Sequence, residues 1–330
     1  MKLSTISPIL KNKYWCRVGA LILVFLGVAS LFIGKYPLSL EKLLSGDSLQ
    51  WRVFLTLRLS RTLVGIAGGF TLGVAGFVYQ TVFRNPLASP DIIGVSSGAS
   101  AGAAVGILFF AGAAAVTVSA FVGALLAVVL ALGLSALDRG GKHQTIVLAG
   151  IAVHSLAQTA LMALKLTADP EQALAAIEYW IMGSLNGLSL YSIGGNLLLS
   201  AFCVAALFLL HRQVVLLSAE EGEARMLGVD VTRLRLVILL VGTLAVAAVV
   251  SLTGLISFVG LLAPHAARML TKNNKNSTLL LSGLAGGCLL CGADILARSA
   301  AATELPVSIF TSLIGAPFLV MLIIRGRRQV

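Results

Sequence analysis

The residue types that carry covalent or metal chemistry are present, but their spacing disperses them. His143, His154, His211 and His265 fall in four different segments, so no pair has the spacing of a metal site. Cys288-Leu-Leu-Cys291 does have ligand spacing, yet it lacks a second pair and lies in an apolar stretch where small side chains pack. Gly140-Gly141-Lys142-His143 comes nearest to a phosphate loop, but it lacks the earlier glycine and the hydroxyl residue after the lysine. No Ser/His/Asp arrangement supports a nucleophilic hydrolase. The chain therefore reads as a non-enzyme with no metal, no cofactor and no ATPase motif of its own. What remains is charge at special places: Arg58 and Arg61 close together, Arg298 far along the chain, and an acidic run of Glu220, Glu221 and Glu223.

The elements that hold these charges are set by composition. Hydrophobic residues make up 58% of the 330 residues and charged ones only 11%, with a mean hydropathy of +0.98. That is more apolar surface than one water-soluble core can hide, so the surplus faces lipid. A spanning helix needs roughly 20 mostly apolar residues, and the intervals between charges supply them. Spans are expected between Arg17 and Lys35, Arg61 and Arg84, twice between Asp91 and Asp138 with a turn near Gly112, and between Lys142 and Lys165. Others follow from Glu178 to Arg212, Lys275 to Asp294 and Glu304 to Arg325; Arg235 to Arg268 holds one very long helix or two meeting at Thr253-Gly254.

Charge placement settles that last interval. Lys2, Lys11, Lys13 and Arg17 precede the first span, and Arg325, Arg327 and Arg328 follow the last. The positive-inside rule puts both ends in the cytoplasm, which requires an even number of spans, hence ten. Of the 24 Lys and Arg, 17 then lie on the cytoplasmic side. The net charge of +11 is thereby a topology signal, and it calls for no nucleic-acid partner. The first apolar stretch is span-length without a cleavage site, so it reads as a retained anchor. The chain is expected to be all-α, a single transmembrane unit over residues 1–330 in the cytoplasmic membrane, in contact with lipid.

Glycines at four-residue steps, Gly65, Gly69 and Gly73 in span two and Gly94, Gly98, Gly102 and Gly106 in span three, predict helices buried against close neighbours. Two breaks are expected: at Asn85 and Pro86 between spans two and three, and at Pro264 and His265 within span eight. Their positions suggest an inverted repeat of spans two to five on seven to ten. His154, within a span, reads as a packing histidine. A cytoplasmic segment over about 211–233 contains Ser218-Ala-Glu-Glu-Gly-Glu-Ala-Arg-Met-Leu-Gly-Val229, with acids suited to a helix start and Gly228 to its end. It reads as a capped surface helix or a docking helix. Arg58, Arg61 and Arg298, at outer helix ends, are suited to pairing with carboxylates.

Read in order, the motifs resemble the permease subunits of ATP-binding-cassette importers for iron-siderophores and cobalamin. They are Arg58-Leu-Ser-Arg61-Thr-Leu; Gln80 with Arg84-Asn-Pro-Leu-Ala-Ser-Pro-Asp-Ile-Ile-Gly-Val-Ser-Ser-Gly-Ala99; Glu223-Ala-Arg-Met-Leu-Gly-Val229; Gly254-Leu-Ile-Ser-Phe-Val-Gly-Leu-Leu-Ala-Pro-His-Ala-Ala-Arg268; Ala293-Asp-Ile-Leu-Ala-Arg298; Glu304-Leu-Pro306; and Gly315-Ala-Pro317. Ser60 and Ser308 depart from the pattern, standing where proline and glycine are usual.

The resemblance implies ten spans, a second permease subunit, identical or paralogous, two cytoplasmic subunits that bind ATP and Mg, and an external substrate-binding protein. It implies coupling to the ATPase through Glu220, Glu221, Glu223, Ala224, Leu227 and Gly228, and docking of the binding protein on Arg58, Arg61 and Arg298. The expected cargo is a ferric siderophore, with cobalamin or haem as alternatives. Small polar groups, Gln80, Ser96, Ser97 and Ser100, are expected to line its path. A secondary transporter would need carboxylates within the spans, and these hold almost none.

Overall fold

A computed structural model describes residues 8–110, 112–137, 143–218, 230–301 and 303–326. Every regular element among them is helical. The chain runs α1 (Pro8–Phe32), α2 (Leu40–Leu44), α3 (Ser48–Val53), a π-helical turn (Phe54–Leu59), α4 (Ser60–Val82) and a 3-10 turn (Pro90–Ile93). It continues with α5 (Val95–Phe109), α6 (Ala113–Ala136), α7 (His143–Thr167), α8 (Ala173–Ile181), α9 (Leu190–Leu209) and α10 (His211–Leu216). After the undescribed 219–229 come α11 (Val231–Thr253), α12 (Val259–Thr271), α13 (Asn276–Ser299) and α14 (Val307–Gly326).

Seven described helical stretches are long and apolar enough to cross a membrane, α5 and α14 are shorter apolar helices, and α12, a helix of 13 residues, is the tenth segment. The Arg235–Arg268 interval is indeed two helices, parted after Thr253. Span two is longer than its charge-free interval: α3, the π turn and α4 form one helical stretch over Ser48–Val82, 35 residues, so Arg52, Arg58 and Arg61 lie within it. Its start is fixed by Asp47, whose carboxylate accepts from the amides of Leu49 and Gln50 at 2.9 and 3.3 Å.

The glycine ladders bring backbones together, as small residues must where lipid provides no hydrophobic drive. Gly69 and Gly73 of α4 abut the carbonyls of Gly286 and Ser282 on α13. Gly98 and Gly102 of α5 face the carbonyls of Gly123 and Ser119 on α6, and Gly106 meets Val116. Gly76 seats the carbonyl of Gly260 on α12. A Cβ at any of these would strike its neighbour.

The inverted repeat is visible in what touches what. α4 packs on α13 and α12, as α11 packs on α6 and α5; α5 packs on α6 and α7, as α12 packs on α13 and α14. The matching breaks, however, are not both where proline marked them. Asn85 and Pro86 do lie in the non-helical stretch after α4, but Pro264 and His265 sit inside a continuous α12. Proline at the sixth helical position removes one donor, the carbonyl left over, that of Gly260, packs against Gly76, and the helix continues to Thr271. The true counterpart of the Pro90–Ile93 turn is Gly254–Phe258. Each ends in a left-handed residue, Gly94 at φ 84° before α5 and Phe258 at φ 66° before α12.

Candidate functional site

These two breaks place the starts of α5 and α12 side by side, Pro90 Cδ lying 3.6 Å from where a Cβ on Gly260 would be. From there the helices run in opposite directions. α12 follows α4, Gly260 beside Gly76 and Arg268 beside Gln80. α5 instead follows α11, which runs antiparallel to α4 through the contacts Gly68–Val249 and Gly242–Tyr79. Between the two helix starts lies a cavity of about 230 Å³. Leu72, Val246 and Val250 wall it, and its polar groups are Ser89, Asp91, Ser96 and Ser257. Two half-length helices thus direct their positive dipole ends toward one chamber, where the exposed Asp91 carboxylate accepts from the Ser96 hydroxyl.

Backbone freed by the second break is satisfied by protein, as an interrupted helix in a membrane requires. Ser184 N–H donates to the Thr253 carbonyl at 2.7 Å, and Ser308 Oγ to the Leu255 carbonyl at 2.6 Å. The departure from glycine at Ser308 therefore supplies a donor to the break. The Phe258 ring, in its strained backbone, occupies the space left by Gly315 on α14.

Of the residues expected to line a path, only Ser96 reaches this chamber. Ser97 and Ser100 are buried, their hydroxyls donating to the carbonyls of Gly94 and Ser96 at 2.9 Å each. Gln80 is buried too and acts as a bracket between helices: its Nε2 donates to the Leu261 carbonyl at 3.1 Å, and its Oε1 accepts from Arg268. Arg268 also donates to Thr81 Oγ1 at 3.0 Å and stacks over the Phe77 ring at 4.7 Å. His154, expected as a packing residue, is exposed on α7, the backbone amide of this residue lying 3.4 Å from a Cβ position on Gly94.

At the other end of α4 the arginines are not presented outward, contrary to the docking expectation. Arg58, Arg61 and Arg298 are 5%, 6% and 1% exposed. Arg61 pairs with Asp294 at 2.8 Å and Glu304 at 2.9 Å, and Arg298 Nε lies 3.3 Å from the second oxygen of Asp294. Arg58 donates to the carbonyls of Ile33 and Tyr36 at 2.7 and 2.8 Å. The reason is geometric. Asp294 and Arg298 are one turn apart on α13, α13 lies along α4, and guanidiniums buried between them take internal acceptors. Asp294 and Glu304 are the members the sequence reading missed, although the four-residue step from Asp294 to Arg298 signals the first.

Comparison with known proteins follows the same length of chain. The sequence profile of the FecCD transport family matches residues 22–325. The chain belongs to the FecCD transport family. This FecCD chain is 35% identical over 322 residues to the hemin transport system permease protein of Yersinia pestis, covering 94% of its own length and 95% of the relative's. It is 38% identical over 269 residues to the cobalamin import system permease protein of Halobacterium salinarum, covering 81% and 72%. A solved structure described as an inward-facing conformation of a metal-chelate type ABC transporter superposes with a TM-score of 0.84 at 33% identity, covering 94% of this chain and 98% of the other. The FecCD chain is accordingly a multi-pass ABC importer permease. The expected coupling residues Glu220, Glu221, Glu223, Ala224, Leu227 and Gly228 lie outside the described residues.

Proposed function

We propose that this permease carries a ferric siderophore inward across the cytoplasmic membrane, as half of a paired path. A second permease copy or paralogue supplies the other half, two ATP-binding subunits hydrolyse ATP with Mg, and an external protein delivers the cargo. The observation that carries the reading is the chamber where α5 and α12 begin, because paired interrupted helices form a passage in which irregular backbone is protected by protein. The cargo assignment draws on relatives named for iron chelates, among them an iron chelatin transport permease of Helicobacter pylori at 34% identity over 327 residues. Relatives named for cobalamin and hemin define the competing cargoes.

A bulky chelate needs a wide, weakly holding path, since tight binding midway opposes release. A chamber of about 230 Å³ with four small or acidic polar groups suits a gate or step on that route better than a trap. Energy enters through the 211–233 segment: closure of the ATPase dimer moves Glu220–Gly228 and alternates access. Reconstituted uptake in proteoliposomes, with the native ATPase and binding protein, tests the assignment against a panel of ferric siderophores, cobalamin and haem. Uptake of a ferric siderophore that needs ATP and is indifferent to a collapsed proton gradient is the expected result. Uptake of cobalamin or haem alone would replace the cargo, and uptake without ATP would sink the importer reading. In the same vesicles, Glu223→Ala or Gly228→Val is expected to leave ATP hydrolysis running while transport falls about tenfold or more; normal coupled uptake would remove the role given to that segment.

A further inference from the structure

A second cavity, unrelated to the passage, opens on the face that the positive-inside bias assigns to the cytoplasm. It has a volume of about 350 Å³ and lies where the first turns of α1, the last turns of α9 and the start of α13 converge. Lys13 and Arg17, one turn apart on α1, stand on one side. Asn276 and Ser277 open α13 on the other, and Cys16, Phe208 and Leu280 form the apolar walls. Among the described residues that line it there is no carboxylate. The groove is built by the fold rather than by chance proximity: Asn12 Nδ2 donates to Ser277 Oγ at 3.2 Å and Cys16 Sγ to the Ser277 carbonyl at 3.4 Å, pinning α1 to α13.

We propose that this groove holds an anionic phospholipid of the inner leaflet, its phosphate between Lys13, Arg17 and the start of α13, its acyl chains along α1. Three features fit that occupant. Two cations with no carboxylate among the described lining residues attract a phosphate, and amide groups at a helix start add donors of the right kind. Second, the apolar wall continues toward the bilayer centre: Leu21, Val24, Phe25 and Val28 on α1 are 70%, 65%, 71% and 53% exposed. Third, the long charged side chains among the described groove residues, Lys13 and Arg17, are ones that reach back to the interface, where cations of a first span are placed to meet lipid headgroups. A free phosphate would use the cations and leave the apolar wall without purpose. The consequence is a permease whose peripheral helix α1 is anchored to α13 partly through a bound lipid.

The test is native mass spectrometry of the intact transporter purified in detergent and equilibrated with either dioleoyl phosphatidylglycerol or dioleoyl phosphatidylcholine. The expected result is selective retention of the phosphatidylglycerol, falling roughly thirtyfold in Lys13→Gln/Arg17→Gln, two exposed positions whose change spares the helix contacts. Lys272→Asn, which removes a cation from the same face outside the groove, should retain it. A second variant, Cys16→Trp, keeps both charges and fills the cavity, and it should also lose the lipid. Equal retention of both lipids by the unmodified protein, equal loss in Lys272→Asn, or undiminished retention in either groove variant would overturn the assignment.

Discussion

The charged residues of this chain are decided by burial more than by sequence position. Arg61, Asp294 and Arg298 form a connected group in which Asp294 is 1% exposed, and the start of α4 is thereby fastened to the end of α13. Removing the carboxylate leaves two buried guanidiniums facing each other, so Asp294→Ala is expected to cost about 3–5 kcal/mol, seen as a large drop in the thermal unfolding midpoint in detergent. Glu304, whose side chain is 28% exposed, is screened by solvent, and Glu304→Ala should cost about 1 kcal/mol or less. Equal effects from the two variants would show that the group is not the buried lock described. Because the arginines point inward, charge reversal at Arg61 is expected to damage folding before it reports on any external partner.

At the scale of elements, close backbone approach explains where glycine is needed and where it is not. Gly102 sits on the Ser119 carbonyl of α6, so Gly102→Val is expected to force α5 and α6 apart at a cost of about 1–3 kcal/mol or more, with reduced yield of folded protein. Gly133, also on α6, has nothing within 4 Å of an added Cβ, and Gly133→Val should be tolerated. A matched thermal unfolding series separates the two, and similar losses would mean that glycine acts through helix propensity alone. The same contacts show why proline misled the reading of α12. Pro264 falls inside a helix that continues past it, with the Gly260 carbonyl it leaves over packed against Gly76, where a side chain would block the approach.

The whole molecule is an inverted pair of four-segment units with α1 and α9 added at the side. Its orientation makes a direct prediction: in a cysteine-free background, Lys42→Cys is expected to react with a membrane-impermeant thiol reagent from outside, and Lys272→Cys only after permeabilisation. Both lysines are exposed, so burial would not confuse the result, and reversed labelling would overturn the placement of the ends. The sequence by itself determined the class, the ten segments, the division at Thr253 and the close contacts of Gly69, Gly73, Gly98, Gly102 and Gly106, though not those expected of Gly65, in ordinary contact only, and Gly94, a left-handed cap, because lipid imposes apolar length and charge asymmetry that can be counted along a line. It also carried the family, through motifs spread from Arg58 to Pro317. Only the tertiary structure decided that Gln80 is a bracket to Arg268, that Arg58, Arg61 and Arg298 are internally partnered, and that Pro264 lies inside a continuous helix instead of breaking it. Those outcomes depend on which helices lie side by side. A polar residue in a membrane takes whatever partner the neighbouring helix brings within 3 Å or so, and that neighbour is often more than a hundred residues away.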